Sequence, residues 1–372
     1  MFPTFRLLRF SCLCITLGFG ILAALIAGLL TKDLLLASEL FALSFLLGMP
    51  TFSLLSSKLS FYQSQRAAVL EESAAVGEGA FYEFAATDVV AFDDTDIFGP
   101  EDVNLKRFML YGDRDNMEKA MRQMCALFAV VGGPLDFMFT NAIDNRVRHK
   151  SATNTVIEDD GLSGDVMGHR ISAGSREYMI RNGIEIPEAA RPSDSASDTT
   201  KVLYAAEDGE VYAKFYIRYS FSEEFTSLLP SLKEQGIIPL IYTRDPNITN
   251  ELLDTLTAGA DCMRVVKIYR PIREEKVYGR VSARMVTFGD KLNAIVMILL
   301  SKKYRAFTEK IRFTELLATF VGLVLAVVFG ILGVNPAAVI ASVVWQIVWC
   351  IVLHYMSIST FLREEKNKNN EE

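Results

Sequence analysis

The chain of 372 residues lacks an excess of positive charge: 38 Lys and Arg stand against 45 Asp and Glu, a formal net charge of −7. That balance excludes a nucleic-acid binder working by bulk charge, so no nucleic-acid partner is expected. It also lacks a disulfide framework. Of the five cysteines, Cys12, Cys14 and Cys350 lie in apolar runs, and Cys125 and Cys262 are far apart in sequence. Cys12-x-Cys14 could bind a soft metal ion, but residues two apart point to different helix faces, and membrane packing accounts for the pair better. Charge is scarce before residue 58 and between residues 312 and 363, which lifts the mean hydropathy to +0.24. Only the middle is composed like a globular protein.

What is present at the two ends is long hydrophobic sequence. Phe10 to Leu30 carries no charge, and Leu34 to Leu55 is interrupted only by Glu39. Each run is long enough to cross a bilayer, and only Thr31, Lys32 and Asp33 separate them. Leu316 to Val334 and Ala337 to Ile358 repeat the design around Asn335-Pro336. The expectation is four transmembrane helices in two hairpins, embedded in a lipid bilayer. A cleaved signal peptide is the alternative for the first run, but its apolar stretch is shorter, typically ~7–15 residues. Basic residues at Arg6, Arg9, Lys58, Arg66, Lys302, Lys303, Arg305, Lys310, Arg312 and Arg363 place both termini and the central loop in the cytoplasm by the positive-inside rule. Glu39 and Glu315 are ionisable groups within or beside the spans. Such groups are candidates for ion ligation, with snorkelling to the interface as the alternative.

The middle reads as a domain inserted into another domain. Thr87 to Phe92 is a short apolar run of strand character that ends in Asp93-Asp94-Thr95-Asp96. Carboxylates at the C-terminal end of a buried parallel strand are where open α/β sheets place their chemistry. A helix over Asn116 to Val130 follows, then strands at Val202–Ala206 and Glu210–Tyr219 around the turn Asp208-Gly209. A helix over Glu223–Gln235, stopped by Gly236, leads to a strand over Ile237–Tyr242 and to Thr243-Arg244-Asp245-Pro246. The two strand-end clusters meet at one sheet edge if residues between them form an insertion.

This order resembles the central part of the P-type ATPases. Gly48-Met49-Pro50-Thr51 inside the second run, then Glu83 and Thr87 to Asp93, are similar to that family's path into its DKTGT motif. Gly161-Leu-Ser-Gly164, Gly168, Gly174 and Gly183-Ile-Glu-Ile-Pro187 look like the nucleotide-domain run of the heavy-metal-transporting branch. Thr243-x-Asp245 after Lys233-Glu-Gln-Gly236 looks like the approach to TGDN, and Leu300-Ser301-Lys302 resembles the helix before the next span.

The resemblance implies an α/β membrane protein: a cytoplasmic HAD-like doubly wound domain with an inserted α+β nucleotide-binding-like domain. The implied boundaries are a first transmembrane hairpin at 1–57, a stalk and first phosphorylation segment at 58–105, the insertion at 106–218, the second phosphorylation segment at 219–312, a second hairpin at 313–358 and a tail at 359–372. It implies Asp93, Thr95, Thr243 and Asp245 as catalytic positions, and Gly161, Gly164 and Gly174 as the ATP cradle. Asp93 and Asp96 become candidate Mg2+ ligands, and Pro50, Glu39 and Glu315 transport positions in a bacterial-type plasma membrane.

The departures from the family pattern fall on the chemistry. Asp94 stands where the family has lysine, Asp96 and Arg244 where it has glycine, and Asp159 replaces the first glycine of a GxG pair beside Asp160. Clustered carboxylates repel phosphate and raise one another's pKa. The reading drawn from this is a catalytically degenerate relative acting as a partner or regulatory subunit. Its alternative is a cation-transporting fragment that forms an aspartyl phosphate on Asp93 and uses an actuator on a separate chain. A third reading is an unrelated membrane fold with Asp93 in an ordinary acidic turn.

Overall fold

The computed structural model describes residues 3–49, 53–111, 117–143, 151–187, 199–259, 262–270, 284–289, 291–333 and 336–361. The chain divides into two compact units, residues 1–86 with 281–372 and residues 87–280.

The first unit opens with α1 (Pro3–Thr31), α2 (Leu34–Gly48), α3 (Ser53–Leu70), β1 (Ser73–Ala75) and α4 (Glu78–Phe84). Lys32 takes a positive φ of 55°, and the Asp33 side chain caps α2 by accepting from Leu35 N and Leu36 N, which reverses the chain in three residues. The second apolar run is described as a helix only to Gly48, 15 residues or about 22 Å, short of the ~30 Å a bilayer core requires. Met49 explains the stop. The residue before a proline is pushed out of the α region, and Met49 sits at φ −84°, ψ 117°.

The second unit runs β2 (Val89–Asp93), α5 (Asp94–Ile97), β3 (Val103–Leu110), α6 (Met117–Phe128), α7 (Pro134–Asn141), β4 (Thr153–Ile157), β5 (Gly161–Val166), β6 (His169–Gly174), α8 (Arg176–Arg181), β7 (Thr200–Glu207), β8 (Glu210–Tyr219), α9 (Glu223–Glu234), β9 (Ile238–Thr243), α10 (Asn250–Leu256) and β10 (Arg264–Lys267). Two sheets result. One is parallel, in the order β10-β9-β2, with Phe92 opposite Ile241. The other is antiparallel, in the order β3-β8-β7-β6-β5-β4. Asp208 and Gly209, both at positive φ, make the tight turn between β7 and β8. Phe92 packs edge-on against Phe225 of α9 and fixes that helix to the parallel sheet.

The chain then returns to the first unit through β11 (Met285–Thr287), α11 (Asn293–Leu332) and α12 (Pro336–Phe361), with β11 antiparallel to β1. Among the described residues three helices are long and apolar enough to cross a membrane: α1 over Phe10–Thr31, α11 and α12. The four-span, two-hairpin expectation is met in part: three helices reach spanning length, and the described helix of the second apolar run stops at Gly48. α2 is short, and α11 is one unbroken helix of 40 residues, about 60 Å, that carries its soluble and apolar halves without a joint.

Small residues bring α11 and α2 together, since a Cβ on Gly322 would overlap Leu47 O. The carbonyls freed at the end of α2 are met from α12. Gln346 Nε2 donates to Leu46 O at 2.9 Å and to Met49 O at 3.1 Å.

Candidate functional site

The C-terminal ends of β2 and β9 bring acidic residues together with Thr243. β2 ends at Asp93, which stays exposed, and its N–H donates to Asp96 Oδ2 at 3.0 Å as α5 begins. One residue later the chain has turned into the helix, and Asp94 points inward, 3% exposed. Thr243, the last residue of β9, donates its hydroxyl to Asp94 Oδ2 at 2.6 Å and accepts Asp245 N–H at 2.9 Å. The Asp245 carboxylate accepts Tyr219 OH and Asn247 N, both at 2.8 Å, and Lys267 Nζ at the end of β10 donates to Asp245 O at 2.5 Å. Gly133, at φ +85°, covers Asp94 so closely that a Cβ there would stand 3.1 Å from Oδ2.

Burial, then the neighbouring Asp93 and Asp245, push the Asp94 carboxyl up to about 8 despite the Thr243 hydroxyl. Burial also raises Asp245, to about 6, against the Asn247 N–H, the Lys267 charge and the Tyr219 hydroxyl. The Lys267 amine is lowered, again by burial. The cluster is thus a closed, hydrogen-bonded core of carboxyls with one ammonium behind it.

Thr243 and Asp245 stand in the cluster with Asp94. Asp93 and the half-buried Thr95 stand beside it, and Arg244 turns away to Arg270 O. Tyr219, Asn247, Lys267 and Gly133 were not singled out from the sequence. The one available signal was the run Arg264 to Lys267, a short β-type run ending in a cation.

Gly161 and Gly174 are register partners on β5 and β6. A Cβ on Gly161 would fall inside the Tyr178 ring, and one on Gly174 would lie 2.6 Å from Tyr178 Cδ1 and 2.7 Å from Asp160 O. Tyr178, 2% exposed, is set there by α8, whose N-cap Ser175 Oγ accepts Tyr178 N–H at 3.0 Å. At Gly164 a Cβ would meet Ala152 and Leu127, each at 3.1 Å. The absent side chains therefore make room for the protein's own packing.

The expected repulsion of phosphate by the Asp159-Asp160 pair is modified by pairing. Burial pushes Asp160 up, but Arg181 and Ser175 outweigh it and hold the carboxyl below its ordinary value. Arg181 reaches Asp160 Oδ1 at 2.6 Å and Glu158 Oε2 at 2.8 Å, while Asp159 accepts the Tyr269 hydroxyl.

In the first unit Glu315 of α11 is buried with Thr319 one turn on, and Cys12 and Thr16 are buried on α1. Cys12 lies beside Thr319 and within electrostatic reach of Glu315. Glu39 is half-buried on α2. Pro50 lies outside the described residues.

No protein-family model matches the chain, and no curated protein matches its sequence. Solved structures do match. A zinc-transporting PIB-type ATPase in its phosphate-bound state aligns at TM-score 0.50 and 12% identity over 95% of this chain. A second structure of a zinc-transporting PIB-type ATPase aligns at TM-score 0.48 and 13% identity over 93%. The chain spans 63% of the length of the first and 62% of the second. The likeness to the first is one of fold. With three apolar helices of spanning length, the chain is an integral membrane protein of P-type-ATPase-like architecture.

Proposed function

We propose that the chain is a P-type-ATPase-like membrane protein that has lost turnover and serves as a partner or regulatory subunit of a membrane ATPase or of a separate actuator-bearing chain. The observation that carries this reading is Asp94. A carboxylate that accepts a phosphoryl group needs positive charge and aimed donors around the transferred oxygens. Next to Asp93 stands instead a second carboxyl, buried under Gly133 and tied to Thr243. Lys267 is spent on the Asp245 carbonyl.

Mg2+ would find two carboxylates here, Asp93 and Asp96, with Asp96 Oδ2 also accepting the Asp93 amide. ATP on the glycines fits poorly, since Tyr178 occupies the space that Gly161 and Gly174 leave.

The proposal includes the HAD-like assignment of residues 58–105 and 219–312, the nucleotide-domain-like assignment of 106–218, and a plasma-membrane placement with both termini and the central part cytoplasmic. The test is ATP hydrolysis by the purified full chain with Mg2+. Hydrolysis no faster than that of Asp93→Asn is expected, and metal-stimulated hydrolysis that Asp93→Asn removes overturns the reading.

A second reading has an observation of its own in Glu315, a carboxyl buried in an apolar helix beside Thr319 and Cys12. Buried ionisable groups in membranes mark ion paths. A cation-transporting fragment phosphorylated on Asp93 would use that cluster. Cation flux into vesicles holding the chain with an actuator-bearing partner, lost in Glu315→Gln, would favour it.

A further inference from the structure

Away from the strand ends, the corner where β6 begins and β7 ends gathers three side chains of ligand type. His169 Nδ1 lies 2.7 Å from Asp208 Oδ2 and 3.5 Å from Glu207 Oε1. One donor atom from each of the three residues falls within 4.8 Å of the other two. A tetrahedral ion with bonds of ~2.0–2.1 Å separates adjacent donors by about 3.3 Å, so the two observed separations bracket the required edge.

The surroundings hold these donors in place. The Glu207 carboxylate is buried, and Lys119 Nζ spans its two oxygens at 3.0 and 3.1 Å. Arg170 N–H holds the other Asp208 oxygen at 2.8 Å. The Arg170 contact is of the kind that orients a metal-binding carboxylate, and an ion would share Glu207 with the Lys119 ammonium. His169 also lines a cleft of about 360 Å³, together with Glu118, Lys119, Arg122, Gln123 and Met167. Three protein ligands with one side facing a cleft is the arrangement of zinc sites that keep a position for an outside ligand.

We propose that His169, Glu207 and Asp208 form a divalent-metal site, with one imidazole nitrogen and two carboxylate oxygens as ligands and a fourth position open to the cleft. One nitrogen with two oxygens suits a borderline first-row ion such as Zn2+ better than a thiol-seeking one. The site uses none of the residues of the Asp94 cluster, so it holds whether or not the chain turns over ATP.

The experiment is calorimetric titration of ZnCl2 into the untagged full chain in detergent micelles, compared with His169→Ala and Asp208→Asn. Asparagine accepts the positive φ of position 208, so the second variant keeps the turn. The expected result is one zinc equivalent whose affinity falls at least tenfold in both variants, of the order seen when metal shells are disturbed. Absence of zinc binding by the wild type, or a zinc isotherm that either variant leaves unchanged, overturns the proposal.

Discussion

Thr243 and Asp94, 149 residues apart in sequence, are joined by a hydrogen bond of 2.6 Å between the end of β9 and the first turn of α5. The bond ties the two halves of the parallel sheet at the edge where such sheets hold their chemistry, and it ends on a carboxyl that burial drives towards neutrality. Its first consequence is a pH dependence. Asp94 is raised from 3.8 to about 8, so the folded form keeps a proton that the unfolded chain releases. For a raised acid, stability is fullest below the unfolded value and is lost as pH rises through the folded one. Asp245, raised to about 6, acts in the same direction over a narrower range. Thermal melts of the full chain should therefore weaken between about pH 4 and 8. Asp94→Asn should flatten the slope and melt at a higher temperature than the wild type at pH 8. A steeper loss in the variant would contradict the assignment.

Tyr219→Phe removes the hydroxyl that Asp245 accepts at 2.8 Å and that takes a bond from Asn247 Nδ2 at 3.2 Å. Both partners remain buried, so a loss of about 1–3 kcal/mol in denaturant unfolding is expected. A neutral substitution would mean that the Asp245 carboxylate is satisfied without it.

Gly161→Ala should destabilise by about 1–3 kcal/mol through overpacking against Tyr178. The companion Tyr178→Ala should largely absorb that cost, giving a coupling energy of about 1 kcal/mol or more in a double-mutant cycle. Strict additivity would show that the glycine serves something other than the tyrosine ring. Because the ring fills that space, calorimetry with Mg2+ and ATP should find binding no tighter than about millimolar, or roughly −4 kcal/mol.

Gln346→Leu leaves Leu46 O and Met49 O without their side-chain donor. Hydrogen bonds between helices in membranes contribute about 0.6–1.7 kcal/mol, and a loss in that range is expected in detergent unfolding. An unchanged transition would place the repair of the α2 end elsewhere.

Much of this architecture is legible in the sequence, because it follows from periodicity and turn chemistry. Thr87 to Phe92 reads as a buried strand and becomes β2, although at the end of its sheet only Phe92 is buried; Asp208-Gly209 reads as a hairpin turn and has two positive φ values, and Met117–Phe128 lies within the expected helix. What escapes is direction at junctions and packing at a distance. At the end of β2 one residue decides which aspartate faces inward, and spacing alone favours Asp93 while the turn into α5 buries Asp94. Apolar length reads through Gly48, but the backbone constraint before Pro50 ends α2 there. Glycine spacing cannot reveal Tyr178, because the filling ring comes from α8 rather than from the glycine strands. Lys214, buried between the Tyr204 and Tyr216 rings at 5.4 and 4.9 Å, also breaks the polar-out rule for strands.

The central claim, that the strand-end carboxyls no longer accept phosphate, is tested most directly by acid-quenched incorporation of label from γ-labelled ATP into the purified full chain with Mg2+. The account predicts no hydroxylamine-labile phosphoprotein above the level of Asp93→Asn. Accumulation of such a species in the wild type, abolished by Asp93→Asn, would contradict it.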